Sequence, residues 1–173
     1  MQNEQAVFAS LNEADFVTVL GDIYEHSAWV AEQIWRQKSQ HPSGYLDDVA
    51  KLQVAMRDVV NDSTDEQKLL LLRAHPDLAG KAALAGSLTD ASKSEQAGAG
   101  LDQCSDEELT HFLKLNDEYR GKFGFPFIMA IKEASKEQIL SGFEERMPND
   151  LQTEFERAIN EVHKIAGFRL ADL

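Results

Sequence analysis

The sequence predicts an all-α fold: one compact multi-helix domain over residues 1–173, about eight to nine helices, with no significant sheet. Three observations predict it. Ser or Asn is followed three residues later by Glu or Gln at Ser63…Glu66, Ser92…Glu95, Ser105…Glu108, Ser135…Gln138 and Asn149…Gln152. In such a capping box the short side chain accepts from a free backbone N–H of the first turn, and the longer one reaches back. Apolar residues recur at steps of three and four, as in Leu46, Val49, Leu52, Met56 and Val59, a stripe on one helix face. No run alternates apolar and polar residues with β-branched enrichment, as a half-buried strand does.

Each element follows from local signals. Asn12 caps a short helix over Glu13–Leu20, with Gly21 as its stop. A second helix is expected from Ile23 to about Lys38, ended by His41-Pro42-Ser43-Gly44, where Pro and Gly interrupt the pattern. Tyr45–Val60 carries the apolar stripe, and Asp65–Ala74, Ser94–Gly100 and Asp106–Arg120 follow. Phe127–Ala134 is expected to be helical with Pro126 at its first position, where a missing N–H costs nothing. Lys136–Arg146 and Asp150–Ala166 close the set, Gly167 suiting a left-handed stop. Ala79–Ala91, rich in Gly and Ala, reads as a loop, and no repeat or linker divides the chain.

Composition narrows the function classes. Seventeen basic against 30 acidic side chains give a formal charge of −13, which repels phosphate backbones and anionic lipid, so neither nucleic acid nor membrane is an expected partner. An anionic substrate would need a local basic group. One cysteine, Cys104, forms no intrachain disulfide and reads as a small, partly buried residue leading into a helix. The first residues lack a basic segment followed by an apolar run, no stretch reaches the ~20 apolar residues of a membrane span, and Ala171-Asp172-Leu173 is not a Ser-Lys-Leu type address. The expected location is cytoplasmic.

Three segments do not read as plain helix surface. In Arg73-Ala74-His75-Pro76-Asp77-Leu78-Ala79-Gly80-Lys81 the proline pushes His75 out of helical geometry. An imidazole fixed there suits acid–base chemistry; equally, a histidine there can satisfy the last helix carbonyls. In Ser92-Lys93-Ser94-Glu95-Gln96-Ala97-Gly98-Ala99-Gly100-Leu101 the capping box is itself structural, yet Gly98 and Gly100 are poor helix formers that admit close approach by a ligand or a neighbouring helix. In Leu115–Ile128, Phe123, Phe125 and Phe127 interleave with Gly124 and Pro126, which reads as an irregular aromatic segment, a core plug or a pocket wall. Glu108…His111 is half of a bundle di-iron pattern without the second half, so no metal is expected. His163 reads as surface, and His26 and His41 lie in no motif. No phosphate loop, nucleophile elbow or dinucleotide fingerprint occurs.

Taken in order, His75-Pro76-Asp77-Leu78-Ala79-Gly80-Lys81, Ser92-x-x-Glu95-Gln96 with Ala99-Gly100-Leu101, and Leu115-Asn116-x-x-Tyr119-x-x-Lys122-Phe123-Gly124-Phe125-Pro126-Phe127-Ile128 resemble the signature blocks of the 2-oxo-4-hydroxy-4-carboxy-5-ureidoimidazoline (OHCU) decarboxylase family. Leu11-Asn12, Phe16-Val17 and Phe168-Arg169-Leu170 also fit, so the resemblance spans nearly the whole chain. It implies a cofactor-independent carboxy-lyase of urate breakdown that makes (S)-allantoin, a homodimer that takes OHCU as its small-molecule substrate. His75 would be the acid–base group with Glu95 as its partner. Ser92 and Gln96 would hydrogen-bond the substrate, Arg169 would hold an oxygen, and Pro76, Phe127, Ile128 and Ile131 would line the pocket.

Overall fold

In a computed structural model, residues 8–80 and 88–173 are described. They hold eight α-helices and no strand: α1 Glu13–Leu20, α2 Trp29–Arg36, α3 Val49–Asn61, α4 Asp65–Arg73, α5 Asp90–Gly98, α6 Asp106–Phe123, α7 Lys136–Arg146 and α8 Leu151–Ala171. The all-α expectation holds. Most of the expected Ala79–Ala91 loop, residues 81–87, lies outside the described residues. Backbone contacts group the chain into two compact units, Met1–Ala74 with Ala166–Leu173, and His75–Ile165.

The first unit contains α1 to α4 and the final turns of α8, around buried Phe16, Leu20, Ile34, Leu52, Met56 and Leu170. Asn12 caps α1 as expected, accepting from the Asp15 N–H. The second helix starts at Trp29 rather than Ile23. His26 adopts φ +48°, a left-handed conformation no helix continues through, and Arg169 bonds both the Glu25 carboxylate and the Asp22 carbonyl. Tertiary partners override helix propensity there. The α4 box is one residue later than expected: Thr64 and Gln67 form it, because the Ser63 hydroxyl donates to the Val60 carbonyl. Gly167 does not stop α8, which continues to Ala171. A Cβ at Gly167 would stand 2.4 Å from the Gln53 amide nitrogen, so this glycine permits close approach rather than a turn.

In the second unit, Ser105 and Ser135 cap α6 and α7 with complete boxes, as expected. Asp150, not Asn149, takes the cap of α8, accepting from the Thr153 N–H at 2.8 Å. Two corrections bear on function. Thr89, not Ser92, caps α5, so the helix begins at Asp90 and Ser92 lies inside it. The expected helix Phe127–Ala134 is absent and Pro126 begins none. Glu133 is left-handed there at φ +65°, and buried side chains of α7 and α8 take backbone groups that a helix would pair internally. His163, expected at the surface, is buried.

Candidate functional site

The second unit brings together the first two segments singled out in the sequence. α4 ends at Arg73, and His75 follows as a buried residue, with Pro76 behind it. The turn Asp77–Ala79 is fastened to two helices. From α5, the Gln96 side chain accepts from the Ala79 N–H at 3.0 Å and donates to the Asp77 carbonyl at 3.2 Å. From α6, Asn116 donates to the Leu78 carbonyl at 2.8 Å and Arg120 pairs with the Asp77 carboxylate at 2.7 Å. These bonds satisfy buried peptide groups in a turn that has no secondary structure to pair them, and they explain why Ala79 can hold φ +51°. Among the described residues the Asn116 side-chain oxygen, also buried, has no hydrogen-bond partner.

Starting α5 at Asp90 decides its faces. Ser92 and Gln96, one turn apart, share a face and both are buried, while Glu95 is half-buried beside them. The face that grips the histidine turn therefore carries Ser92 and Gln96. Gln96 was expected to hydrogen-bond a substrate; in this structure both ends of its amide hold the turn.

The third segment forms a wall. Phe125, Phe127, Ile128 and Ile131 are buried, and Phe127 stacks on Phe143 with ring centroids 3.8 Å apart. Arg146, almost fully buried on α7, donates from Nη1 to the Ile128 carbonyl at 2.6 Å while its other nitrogens grip Glu154. Its guanidinium also lies 4.4 Å from the Phe127 ring centroid. Tyr119 donates to Glu154, and Asn149 adds a bond at 3.0 Å. Burial alone would raise the Glu154 carboxyl; the bonds from Arg146, Tyr119 and Asn149 outweigh it and hold the group below its ordinary value. Burial and the Glu154 carboxylate together push the Tyr119 hydroxyl up. Glu161 behaves like Glu154. Burial opposes its charge, and bonds from the Ala130 N–H at 3.0 Å, from Lys164 and from Arg157 prevail.

Sequence reasoning missed Arg146, Glu154 and Glu161. A charged residue on an amphipathic helix ordinarily reads as solvated, and no spacing links side chains on separate helices.

Arg169 belongs to the first unit, where it bonds Glu25 at 2.7 Å and the Asp22 carbonyl at 3.0 Å. A cavity of about 260 Å³ beside α5 is lined by Ala79, Lys93, Gln96, Ala97, Leu101 and Cys104, and neither His75 nor Glu95 borders it. Burial and the neighbouring Glu108 push the Cys104 thiol up, against Lys136, which keeps it in the poorly nucleophilic form. Glu108 is engaged by Lys136 at 2.9 Å and by the Ser105 N–H at 3.1 Å. Among the described residues no three His, Cys, Asp or Glu side chains converge as a metal site.

Comparison with known proteins decides the family. The OHCU decarboxylase family profile matches residues 9–171. This chain belongs to the OHCU decarboxylase family. It is 44% identical to the 2-oxo-4-hydroxy-4-carboxy-5-ureidoimidazoline decarboxylase of Haloferax volcanii, over 94% of this chain and 90% of that one. It is 45% identical to the protein of the same name from Halalkalicoccus jeotgali, over 94% and 89%. A crystal structure of (S)-allantoin synthase superposes with a TM-score of 0.75 at 36% identity, covering 95% of this chain and 52% of that one, so the chain spans about half of the crystallised protein. Within the family frame, the three sequence blocks correspond to the histidine turn, its α5 clamp and the aromatic wall.

Proposed function

We propose that this protein decarboxylates OHCU to (S)-allantoin and CO2, as a carbon–carbon lyase without a cofactor. The observation that carries the reading is the locked histidine turn: Gln96 fastens the residues after His75 to the helix that bears Ser92 and Glu95, in a chain of the OHCU decarboxylase family.

The substrate's own chemistry explains why few groups suffice. Its departing carboxylate sits on a carbon that also bears a hydroxyl and adjoins a C=N bond. As the C–C bond breaks, the electron pair enters that C=N, whose nitrogen takes up a proton. The substrate is thus its own electron sink, the task a pyridoxal or thiamine group performs elsewhere. The enol that remains becomes allantoin when its hydroxyl loses a proton and the neighbouring carbon gains one on a single face. The protein's tasks are orientation and one-sided proton delivery. His75 delivers that proton from a position fixed by Pro76, and Glu95 orients the imidazole or takes the hydroxyl proton. Ser92 and Gln96 bond the substrate, Gln96 with whatever capacity the turn leaves it. Pro76, Phe127, Ile128 and Ile131 line the pocket. Arg169 holds an anionic or carbonyl oxygen through a planar donor fork that Glu25 already orients.

The deciding experiment couples urate oxidation and hydroxyisourate hydrolysis to this protein and follows circular dichroism. A fast, one-handed allantoin signal is expected, because uncatalysed decay gives a racemate; a rate and handedness equal to the protein-free control would defeat the reading. In the same assay Arg169→Lys should raise KM, and unchanged kinetics would remove Arg169 from the site. A homodimer in the cytoplasm is part of the proposal, checked by light scattering and cell fractionation; a monomer or a secreted protein would remove that part.

A further inference from the structure

Ile128 and Ala130 are anchored by side chains of two different helices, and the geometry of the peptide bond gives that arrangement a consequence. The Ile128 carbonyl, held by Arg146 at 2.6 Å, belongs to the same peptide unit as the Met129 N–H. The Ala130 N–H, held by Glu161 at 3.0 Å, belongs to the same unit as the Met129 carbonyl. Among the described residues there is no cis peptide bond, and in a planar trans unit the N–H and C=O point in opposite directions. The Met129 N–H therefore points away from Arg146, and the Met129 carbonyl away from Glu161. Among the described residues neither group has a hydrogen-bond partner. Two adjacent peptides, each gripped at its far end, thus present one free donor and one free acceptor.

Both grips are themselves braced. Arg146 is 1% and Glu154 0% exposed, and Tyr119 and Asn149 complete the shell of Glu154. The Glu161 side chain is 4% exposed and tied to Arg157 and Lys164. A buried ion pair is an expensive way to hold a core, since apolar residues of similar volume commonly do as well. Fixing two particular peptide groups, however, is something apolar residues cannot do.

We propose that Arg146 and Glu161 are positioning residues of the decarboxylation, which hold the Met129 peptide groups still for a ligand of the amide or ureido type, whose own C=O and N–H complement one donor and one acceptor. The inference rests on the decarboxylase reading above. It assigns neither residue a contact with the substrate; each acts through the Phe127–Ile131 backbone.

The test compares Arg146→Lys, Glu161→Leu and Glu161→Gln with the wild type for kcat, KM and the handedness of the allantoin formed, with Tm and circular dichroism as the measure of folding. Lysine keeps a cation beside Glu154, but one ammonium lacks the fork that reaches Glu154 and the Ile128 carbonyl together. Glutamine keeps an oxygen for the Ala130 N–H; leucine removes it. In folded protein, Arg146→Lys and Glu161→Leu should each lower kcat/KM by about tenfold to a hundredfold, the scale of a misplaced substrate, and lower the handedness of the product. Glu161→Gln should stay within about threefold of the wild type, a rescue that loss of packing alone would not give. Wild-type turnover with unchanged kinetics in both folded damaging variants overturns the inference and leaves the decarboxylase reading standing; absence of wild-type turnover overturns both. Hydrogen exchange on the wild type keeps the inference exposed even if the variants misfold: the Ala130 amide should exchange at least tenfold more slowly than the Met129 amide, and equal rates overturn the clamp.

Discussion

Two stretches of the second unit leave the helical pattern, and they are held in contrasting ways. The turn after His75 is fixed by neutral amides, Gln96 and Asn116, with one ion pair, Arg120 to Asp77, at its partly exposed edge. The wall at Phe127–Ile131 is fixed by buried charges, Arg146 with Glu154 and Glu161 with its two cations. A neutral amide offers a donor and an acceptor to the same turn and does not titrate. A buried charge makes stronger bonds but tolerates no missing partner. The difference suggests a division of labour. On the proposed mechanism the turn carries the residue that changes its protonation, His75, and the two amides that hold the turn, Gln96 and Asn116, do not titrate. The wall carries no such group, and its supports need be strong above all.

The largest expected effect lies in the turn. His75→Gln should lower kcat by about 10² to 10⁴, the usual worth of a positioned acid–base group, while Tm changes little; near-normal turnover would remove His75 from the chemistry. In the wall the large effect is on stability instead. Arg146→Met strands Glu154 and should cost about 3–5 kcal/mol in urea denaturation, and adding Glu154→Leu should recover much of it without restoring activity. A single-variant loss below about 1 kcal/mol would mean the charges are not the main support. Gln96→Leu should cost about 1–3 kcal/mol, because the Ala79 N–H and Asp77 carbonyl lose their partners, and activity should fall with it. Intact stability and turnover would show the turn standing without its clamp.

The smallest signal is the pH dependence. Glu154 and Glu161 are held below their ordinary value of 4.5, so the unfolded chain takes up protons first as pH falls. Their stabilisation is complete above 4.5 and is lost as pH drops through the lowered folded values. Exchange at the Ala130 amide should therefore accelerate in that acid window relative to the Ala79 amide, whose partner Gln96 does not titrate. Equal acid sensitivity at both amides would erase the contrast.

Legibility in the sequence followed the same divide. Asn12, Ser105 and Ser135 were legible as caps because a cap is a contact between residues three apart, and their helices begin as expected. Where two short polar residues stood side by side the pattern slipped, as at Ser63 and Thr64, since only geometry chooses between neighbours. At α5 the sequence placed the start at Ser94, while Thr89 caps the helix, and that shift turns Ser92 from a cap into a partner of Gln96 on one face. The sequence marks the aromatic segment as irregular up to Pro126 and predicts a helix beyond it, which the structure lacks. The residues that prevent this, Arg146 and Glu161, are 18 and 31 positions from the peptide groups they hold.

By itself the sequence determined that the protein is helical, which segments depart from plain helix surface and which family the chain resembles, because caps, periodicity and motifs are encoded within a few residues of one another. The tertiary structure alone decided that Gln96 closes the histidine turn, that His163 is buried, and that Phe127–Ala134 is a braced wall instead of a helix. Those outcomes depend on which buried peptide groups find a partner, and the partners come from helices distant along the chain.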